Sequence, residues 1–191
     1  MNWIKRAVLI TLCCAAASAG PITFTETQLG IGSLGVTSFN NALVTIVLTT
    51  DTSTITGSGI FYDIGPATVT VAGIGTATFT DTMEVFSNQG NHFAGIEDAQ
   101  PAMGDVLDVF NTAFDTYALN TAIGQLSGKP EGSPGQSFPT SLGAFILTSS
   151  GNGDHPATFT AATVGSVPEP ATLGLLTAGI ALFLIRRRVA G

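Results

Sequence analysis

Residues 67–80 carry the clearest structural signal in the chain, and they read Ala67-Thr68-Val69-Thr70-Val71-Ala72-Gly73-Ile74-Gly75-Thr76-Ala77-Thr78-Phe79-Thr80. Apolar residues and threonines alternate on both sides of the Gly73-Ile74-Gly75 segment, which is the period-two pattern of a strand with one buried face. Glycine tolerates the backbone angles of tight turns, so the two glycines mark a change of direction. The segment therefore predicts a β-hairpin.

Similar segments recur through most of the chain, which is rich in Thr, Val, Ile, Phe and Gly between Gly20 and about Gly165. Strands are predicted at residues 22–29, 43–49, 54–64 with a glycine break, 75–86, 144–148 and 157–164. The turn residues Gly151-Asn152-Gly153-Asp154 predict a second hairpin between the last two strands. Helical patterns do not alternate with these strands, which disfavours a parallel α/β fold. The predicted fold is mainly β, an antiparallel β-sandwich or jelly-roll-like domain.

One segment of this domain has helical periodicity. Val106, Phe110, Ala113 and Tyr117 are spaced as i, i+4, i+7 and i+11, and Pro101 precedes them. This spacing predicts one short amphipathic helix over about residues 102–114. Residues 129–139, which contain three prolines, predict a loop.

Charge is strongly segregated along the chain. All thirteen acidic residues lie between Glu26 and Glu169, whereas Lys129 is the only basic residue between Gly20 and Ile185. A domain this acidic repels phosphate backbones, so nucleic acid is not an expected partner. Both cysteines, Cys13 and Cys14, fall in the N-terminal apolar run, and removal of that run would leave a protein without disulfides or thiol chemistry.

The first 19 residues have the organisation of a secretory signal peptide. Lys5 and Arg6 are followed by the apolar run 7–17, and the small residues Ala17-Ser18-Ala19 predict cleavage between Ala19 and Gly20. An uncleaved anchor and a lipoprotein signal are the alternatives. The lipoprotein reading is disfavoured because Leu12 stands before Cys13, where a small residue is needed.

The C-terminal end combines three features in order. Val167-Pro168-Glu169-Pro170 leads into an apolar segment at 171–185, and the basic cluster Arg186-Arg187-Arg188 follows. Prolines keep the chain extended, and an apolar helix of this length, about 22 Å, falls short of a bilayer core of about 30 Å. Arginines on the inner side fix the C-terminus in the cytoplasm. The segment predicts a single transmembrane helix that anchors the protein temporarily, with a permanent tail anchor as the alternative.

Together these three features resemble the PEP-CTERM sorting signal. The resemblance covers residues 165–191 and implies that an exosortase, a membrane-embedded cysteine transpeptidase, recognises Pro168, Glu169 and Pro170. It implies a protein that is first anchored in the inner membrane and then reaches the cell surface or the extracellular space. The expected partners are signal peptidase, the exosortase, the membrane and an extracellular polysaccharide. Residues 20–164 would form the β-rich exported domain.

The sequence of this domain contains no nucleophile elbow or P-loop, and we expect no catalytic, cofactor or metal residues in it. His92, His155 and Asp154 could meet around a metal, but isolated loop histidines are usually surface residues. Carboxylates are paired in Glu97-Asp98 and in Asp105 with Asp108, and we interpret them as solvated acids. Two function classes remain: a non-catalytic surface or matrix protein, and a carbohydrate- or calcium-binding module. Exposed aromatic residues could stack on sugar rings, although phenylalanine at alternating strand positions usually belongs to the core. Residues 151–154 offer oxygen ligands for calcium but lack the spaced acidic pattern of a calcium loop.

The signal peptide prediction can be tested on exported material. N-terminal sequencing should give Gly20 as the first residue, because Ala17-Ser18-Ala19 is the cleavage sequence. Exported protein that still begins at Met1 would show that the N-terminal segment is an uncleaved anchor.

Overall fold

The computed structural model describes residues 19–100, 104–150 and 155–164, and these residues are mainly β-strand. The described ranges contain no α-helix, and their single 3-10 helix spans Thr112–Thr116. The strands are β1 (Pro21–Leu34), β2 (Thr37–Asp51), β3 (Thr56–Ser58), β4 (Ile60–Gly65), β5 (Ala67–Val71), β6 (Gly75–Thr78), β7 (Met83–Asn88), β8 (Phe93–Asp98), β9 (Asp105–Phe110), β10 (Ile123–Glu131), β11 (Ser137–Thr140), β12 (Gly143–Ser150) and β13 (Ala157–Thr163).

A long hairpin made of β1 and β2 forms the centre of the fold. Its register runs from Pro21 opposite Asp51 to Leu34 opposite Thr37, with one irregularity between Gly30 and Gly32. Alternate residues at the start of β1, among them Ile22 and Phe24, are completely buried, as period-two patterning requires. The hairpin predicted at residues 67–80 is confirmed as β5 and β6, and Val71 lies opposite Gly75 beside the turn.

All strand pairings are antiparallel, and the strands follow one another in the order β3-β4-β7-β8-β9-β10-β13-β1-β2-β5-β6. β12 pairs with β1 beyond the end of β13, and β11 pairs with β12. The mainly β, antiparallel prediction is confirmed, but the arrangement is one curled sheet where a two-sheet sandwich was predicted. The difference arises at β10, which pairs with β13 through Gly128 and with β9 from Lys129 onward, so hydrogen bonding continues around the curl.

The curl encloses a single apolar core. β2 lies near one end of the strand order and contacts β4 and β7, which lie near the other end. The two ends of the sheet therefore approach each other. Phe159 lies at the centre of an aromatic group, with ring centroids 6.0 Å from Phe24, 5.3 Å from Phe114 and 6.1 Å from Tyr117. Phe114 and Tyr117 come from the 3-10 helix and the residue after it, so this short element closes the core beside β13.

The predicted amphipathic helix at 102–114 is wrong for the residues that the structure describes. Asp105–Phe110 is strand β9, and the 3-10 helix follows it after the N-cap Asn111. Four consecutive residues of β9, Val106 to Val109, are buried, whereas an amphipathic helix would expose part of every turn. The apolar spacing that suggested a helix arises because β9 and the 3-10 helix each contribute apolar residues to the core.

Two predicted connections also differ from the structure. β12 and β13 both run antiparallel to β1 along the same edge, so they run in the same direction and are not a hairpin. Residues 151–154, the predicted turn, lie outside the described ranges. The predicted loop at 129–139 is shorter than expected because β10 extends to Glu131 and β11 begins at Ser137. Residues at both ends of this proline-rich segment are paired within strands, including Pro130 opposite Val109 and Pro139 opposite Ala144.

No helix within the described residues is long and apolar enough to cross a membrane. The membrane helix predicted at 171–185 lies outside the described ranges, as do Pro168, Glu169, Pro170, Arg186, Arg187 and Arg188.

β10 changes its pairing partner from β13 to β9, and two matched substitutions can test this change. A Cβ atom at Gly128 would collide with the carbonyl oxygen of Phe110 in β9, whereas a Cβ atom at Gly124, in the same strand, would meet nothing within 4 Å. Gly128→Ala should therefore lower the free energy of unfolding by about 2 kcal/mol, within the range for overpacking. Gly124→Ala should leave it nearly unchanged. Chemical denaturation measures both, and equal effects would contradict the close approach of the two backbones.

Candidate functional site

The strands β4, β7, β8 and β9 have one side in the core and another that carries acidic and aromatic residues. Val85, Ile96 and Leu107 are fully buried on the core side. Directly opposed residues of antiparallel strands lie on the same face, so the strand register identifies the residues of the other side. We call this side the acidic–aromatic face, and it consists of Tyr62, Glu84, Phe86, Phe93, Glu97, Asp105, Asp108 and Phe110.

Three carboxyl groups form a row across this face. Glu84 lies opposite Glu97, and Glu97 lies opposite Asp105. The register shifts between Ile96 and Glu97, so Val106 has no partner in β8 and Asp105 is brought beside Glu97. Like charges in such positions repel each other. Burial, together with hydrogen bonding and the negative charge of Asp105 and then of Glu84, raises the pKa of Glu97 to about 9. Glu97 is therefore protonated at neutral pH and shares its proton with its neighbours.

Asp108 is the most enclosed carboxyl of the face. It is 5% exposed, and its Oδ1 atom has no hydrogen-bond partner. It lies against Gly95, where an added Cβ would come within 2.6 Å of the Cβ of Asp108 and within 2.8 Å of the Phe86 ring. Glycine at this position thus makes room for both side chains. Burial, and then the charges of Asp105 and Glu131, raise the pKa of Asp108 to about 7.

A further carboxyl lies in the interior of the curl. Glu26, on β1, is completely buried, and neither of its oxygens meets a hydrogen-bond partner. Burial, and then the charge of Asp108, raise the pKa of Glu26 well above its ordinary value. The backbone N–H of Ile96 opposes this shift but does not reach hydrogen-bond geometry. The amide of Gln28, two residues along the same strand, is also buried without a partner. The centre of β1 therefore places two polar side chains among apolar ones.

A groove of about 380 Å³ opens at the carboxyl row. Its lining residues include Thr56, Tyr62, Glu84, Glu97 and Gln100. Glu97 lies between Glu84 and Asp105, and its carboxyl interacts with both. A row of carboxyls at the edge of a groove can bind hydroxyl groups of a ligand.

The other end of the face is aromatic. The Phe93 and Phe110 rings are 5.3 Å apart in an edge-to-face arrangement, and the His92 ring lies 5.6 Å from Phe110. Phe110 is 38% exposed. Lys129 lies opposite Phe110 in β10, and its Nζ atom is 2.7 Å from a carboxylate oxygen of Glu131. The aromatic end is thus an accessible apolar surface with polar side chains at its border.

The predicted site residues are distributed differently from the sequence expectation. Glu97 and Asp98 are adjacent in β8 and point to opposite sides, so they do not form a pair. The structure instead brings together Glu97, Asp105 and Glu84. The sequence could have revealed this row only through the strands β8 and β9, neither of which was predicted.

The two histidines lie in different surroundings. His92 Nδ1 contacts a carboxylate oxygen of Asp115, and His155 is exposed at the start of the last described segment. Asp154, with the rest of the proposed calcium segment, lies outside the described residues. Among the residues that the structure does describe, no three His, Cys, Asp or Glu side chains are grouped to hold a metal ion.

The predicted signal cleavage position lies at the edge of the sheet. The Gly20 backbone N–H donates to Thr52 Oγ1 at 3.1 Å, and the Thr52 N–H donates to the Gly20 carbonyl oxygen at the same distance. Cleavage between Ala19 and Gly20 would therefore leave the new N-terminus beside the end of β2, immediately before β1 begins at Pro21.

Comparison with known proteins identifies the C-terminal tail. Residues 166–188 match the family model described as the PEP-CTERM protein-sorting motif. The match includes the Pro-Glu-Pro sequence and the arginine cluster, and it confirms the resemblance seen in the sequence. It indicates an exported protein that is anchored transiently in the membrane and processed by an exosortase-type enzyme. No curated protein matches the chain, and no solved structure matches it.

The carboxyl row should make the protein less stable as pH rises. The folded state holds a proton on Glu97 between the ordinary pKa of 4.5 and the raised value of about 9, whereas the unfolded state loses it near 4.5. Raising the pH through this window therefore lowers the free energy of unfolding, by at most about 1.4 kcal/mol per pH unit for one group. Partial exposure of Glu97 to solvent reduces this slope.

Glu97→Gln should reduce this pH dependence, because a glutamine at this position does not titrate, and the slope that remains comes from Asp108 and Glu26. Denaturant titrations at pH 5, 7 and 9 measure the effect. Asp81→Asn, in the turn before β7, is the control and should keep the slope of the parent. A parent protein that is equally stable at all three pH values would contradict the shared-proton arrangement.

Proposed function

We propose that this protein is a non-catalytic component of the cell surface or extracellular matrix, and that its β domain is displayed after an exosortase processes the tail. The single observation that carries the proposal is the match of residues 166–188 to the PEP-CTERM protein-sorting motif. The order of segments supports it, because a predicted signal sequence, a strand-rich domain and a sorting tail follow one another along the chain.

Each part of the tail would have its own physical task. The last described strand ends at Thr163, only a few residues before Pro168, so a short linker would hold the motif close to the domain. The prolines would keep Glu169 in an extended peptide that an enzyme can bind. Residues 171–185 would anchor the protein temporarily, and Arg186, Arg187 and Arg188 would keep the C-terminus on the cytoplasmic side. The bond that is cut would then lie near the outer end of the membrane segment.

A second candidate function is a carbohydrate-binding module. The observation that favours it is the Phe93 and Phe110 pair, in which Phe110 is exposed, on the same face as the groove at Tyr62. Binding and display are compatible, because a displayed domain needs a surface through which it associates with other envelope components.

Replacement of the sorting motif tests the proposal. Changing Pro168, Glu169 and Pro170 to alanine should leave export intact but retain the full-length protein in the membrane, because the helix can then extend into the recognition sequence. Cell fractionation and blotting with an antibody against the β domain would measure this. Thr172→Ala is the control and should be processed like the parent. If the triple-alanine variant is also processed like the parent in a host with an exosortase, the tail is a permanent anchor.

Replacement of the arginine cluster should have a different effect from replacement of the Pro-Glu-Pro sequence. Replacing Arg186, Arg187 and Arg188 with glutamine removes about 1 kcal/mol of headgroup attraction for each residue. The expected result is weaker membrane retention, with more unprocessed protein in the soluble fraction. Unchanged retention would assign the anchoring to the apolar segment alone.

A further inference from the structure

The acidic–aromatic face concentrates exposed apolar side chains that the fold does not need. Ile60, Ile64 and Phe110 are exposed by 36%, 56% and 38%, and all three lie on this side of the sheet. Ile60 lies opposite Asn88, which in turn lies opposite Phe93, and Phe93 lies opposite Phe110. This row crosses four adjacent strands and is apolar on β4, β8 and β9, with the polar Asn88 on β7, whereas isolated exposed apolar residues are common on any protein.

Beside this row, the face carries both hydrogen-bond acceptors and donors. Glu84, Asp105 and Glu131 supply carboxyl oxygens. Thr56, Tyr62 and Gln100, which line the groove, supply O–H and N–H donors. A ligand that complements the face must therefore donate and accept hydrogen bonds and also offer an apolar surface. Sugar rings combine hydroxyl donors with C–H faces that stack on aromatic rings.

The charge of the face determines which ligands it accepts. Its carboxylates repel anionic polymers and the same face of a second copy. Lys129, the only basic residue between Gly20 and Ile185, lies at the border of the face and is already paired with Glu131. An uncharged polymer is free of this repulsion. Hydroxyl groups can also donate to the carboxylates and accept from Tyr62, so they satisfy both kinds of partner.

We propose that the acidic–aromatic face binds a neutral polysaccharide, with Phe93 and Phe110 stacking against sugar rings while Tyr62 and the carboxyls of the groove bind hydroxyl groups. The inference rests on the proposed function, because only a displayed domain would meet such a polymer. It adds to that function the surface that makes the contact and the chemical class of the partner.

Affinity electrophoresis of the full-length protein tests the proposal. Gels containing hydroxyethyl cellulose, galactomannan or dextran provide neutral polymers, and alginate provides an anionic one. At least one neutral polymer should retard the protein, and alginate should not. Phe110→Ala should weaken binding about tenfold, a size expected when one stacking side chain is lost. Leu142→Ala is the matched control, because Leu142 is 55% exposed in the turn between β11 and β12, outside the face.

A second variant separates stacking from folding. Phe110→Leu keeps an apolar side chain but removes the ring, so it should also weaken binding while its thermal unfolding matches the parent. Both Phe110 variants should be exported and processed like the parent, which distinguishes a failure of binding from a failure of sorting. The proposal is overturned if no neutral polymer retards the protein, if Phe110→Ala and Leu142→Ala behave alike, or if oligolysine binds the face and the neutral polymers do not.

Discussion

The pairing of β1 on both of its edges is the constraint on which the rest of the structure depends. One edge of β1 is bonded to β2 along almost its whole length, and the other edge is bonded first to β13 and then to β12. Because β13 leads through β10 to β9 and β8, the strands that carry the acidic–aromatic face are positioned from β1. A change in the register of β1 would move Phe24 out of the core and Glu26 with it, since a shift of one residue reverses every side chain of a strand.

The same strand introduces the main electrostatic cost of the fold. Glu26 and Gln28 occupy inward positions in β1 that would otherwise hold apolar residues, and their polar atoms have no partners. A buried carboxyl avoids most of the cost of losing water by remaining protonated. Glu97 and Asp108 follow the same rule on the opposite side of the sheet. A domain with a large excess of acids thus keeps part of that charge neutral, through burial and through contact between carboxyls.

The sequence predicted the parts of this fold whose alternation is undisturbed. β1, β2, β5 and β6 and the last two strands were located because each has one core side and one polar side. β9 was missed because four consecutive residues, Val106 to Val109, are buried, and a run of buried residues has no period of two. β10 was missed because Pro130, together with the prolines that follow the strand, indicated a loop, although proline is compatible with a strand at a position that donates no ladder hydrogen bond.

The candidate site was beyond sequence analysis for a related reason. Glu84, Glu97 and Asp105 come from three strands, and their contact depends on the irregularity between Ile96 and Glu97. Without that extra residue, Glu97 would lie opposite Val106 in β9 and the row would end at two carboxyls. The tail, in contrast, could be identified from the sequence alone, because its motif is contiguous. The sorting signal is therefore a contiguous stretch of sequence, whereas the surface available to a partner forms only when the fold aligns β7, β8 and β9.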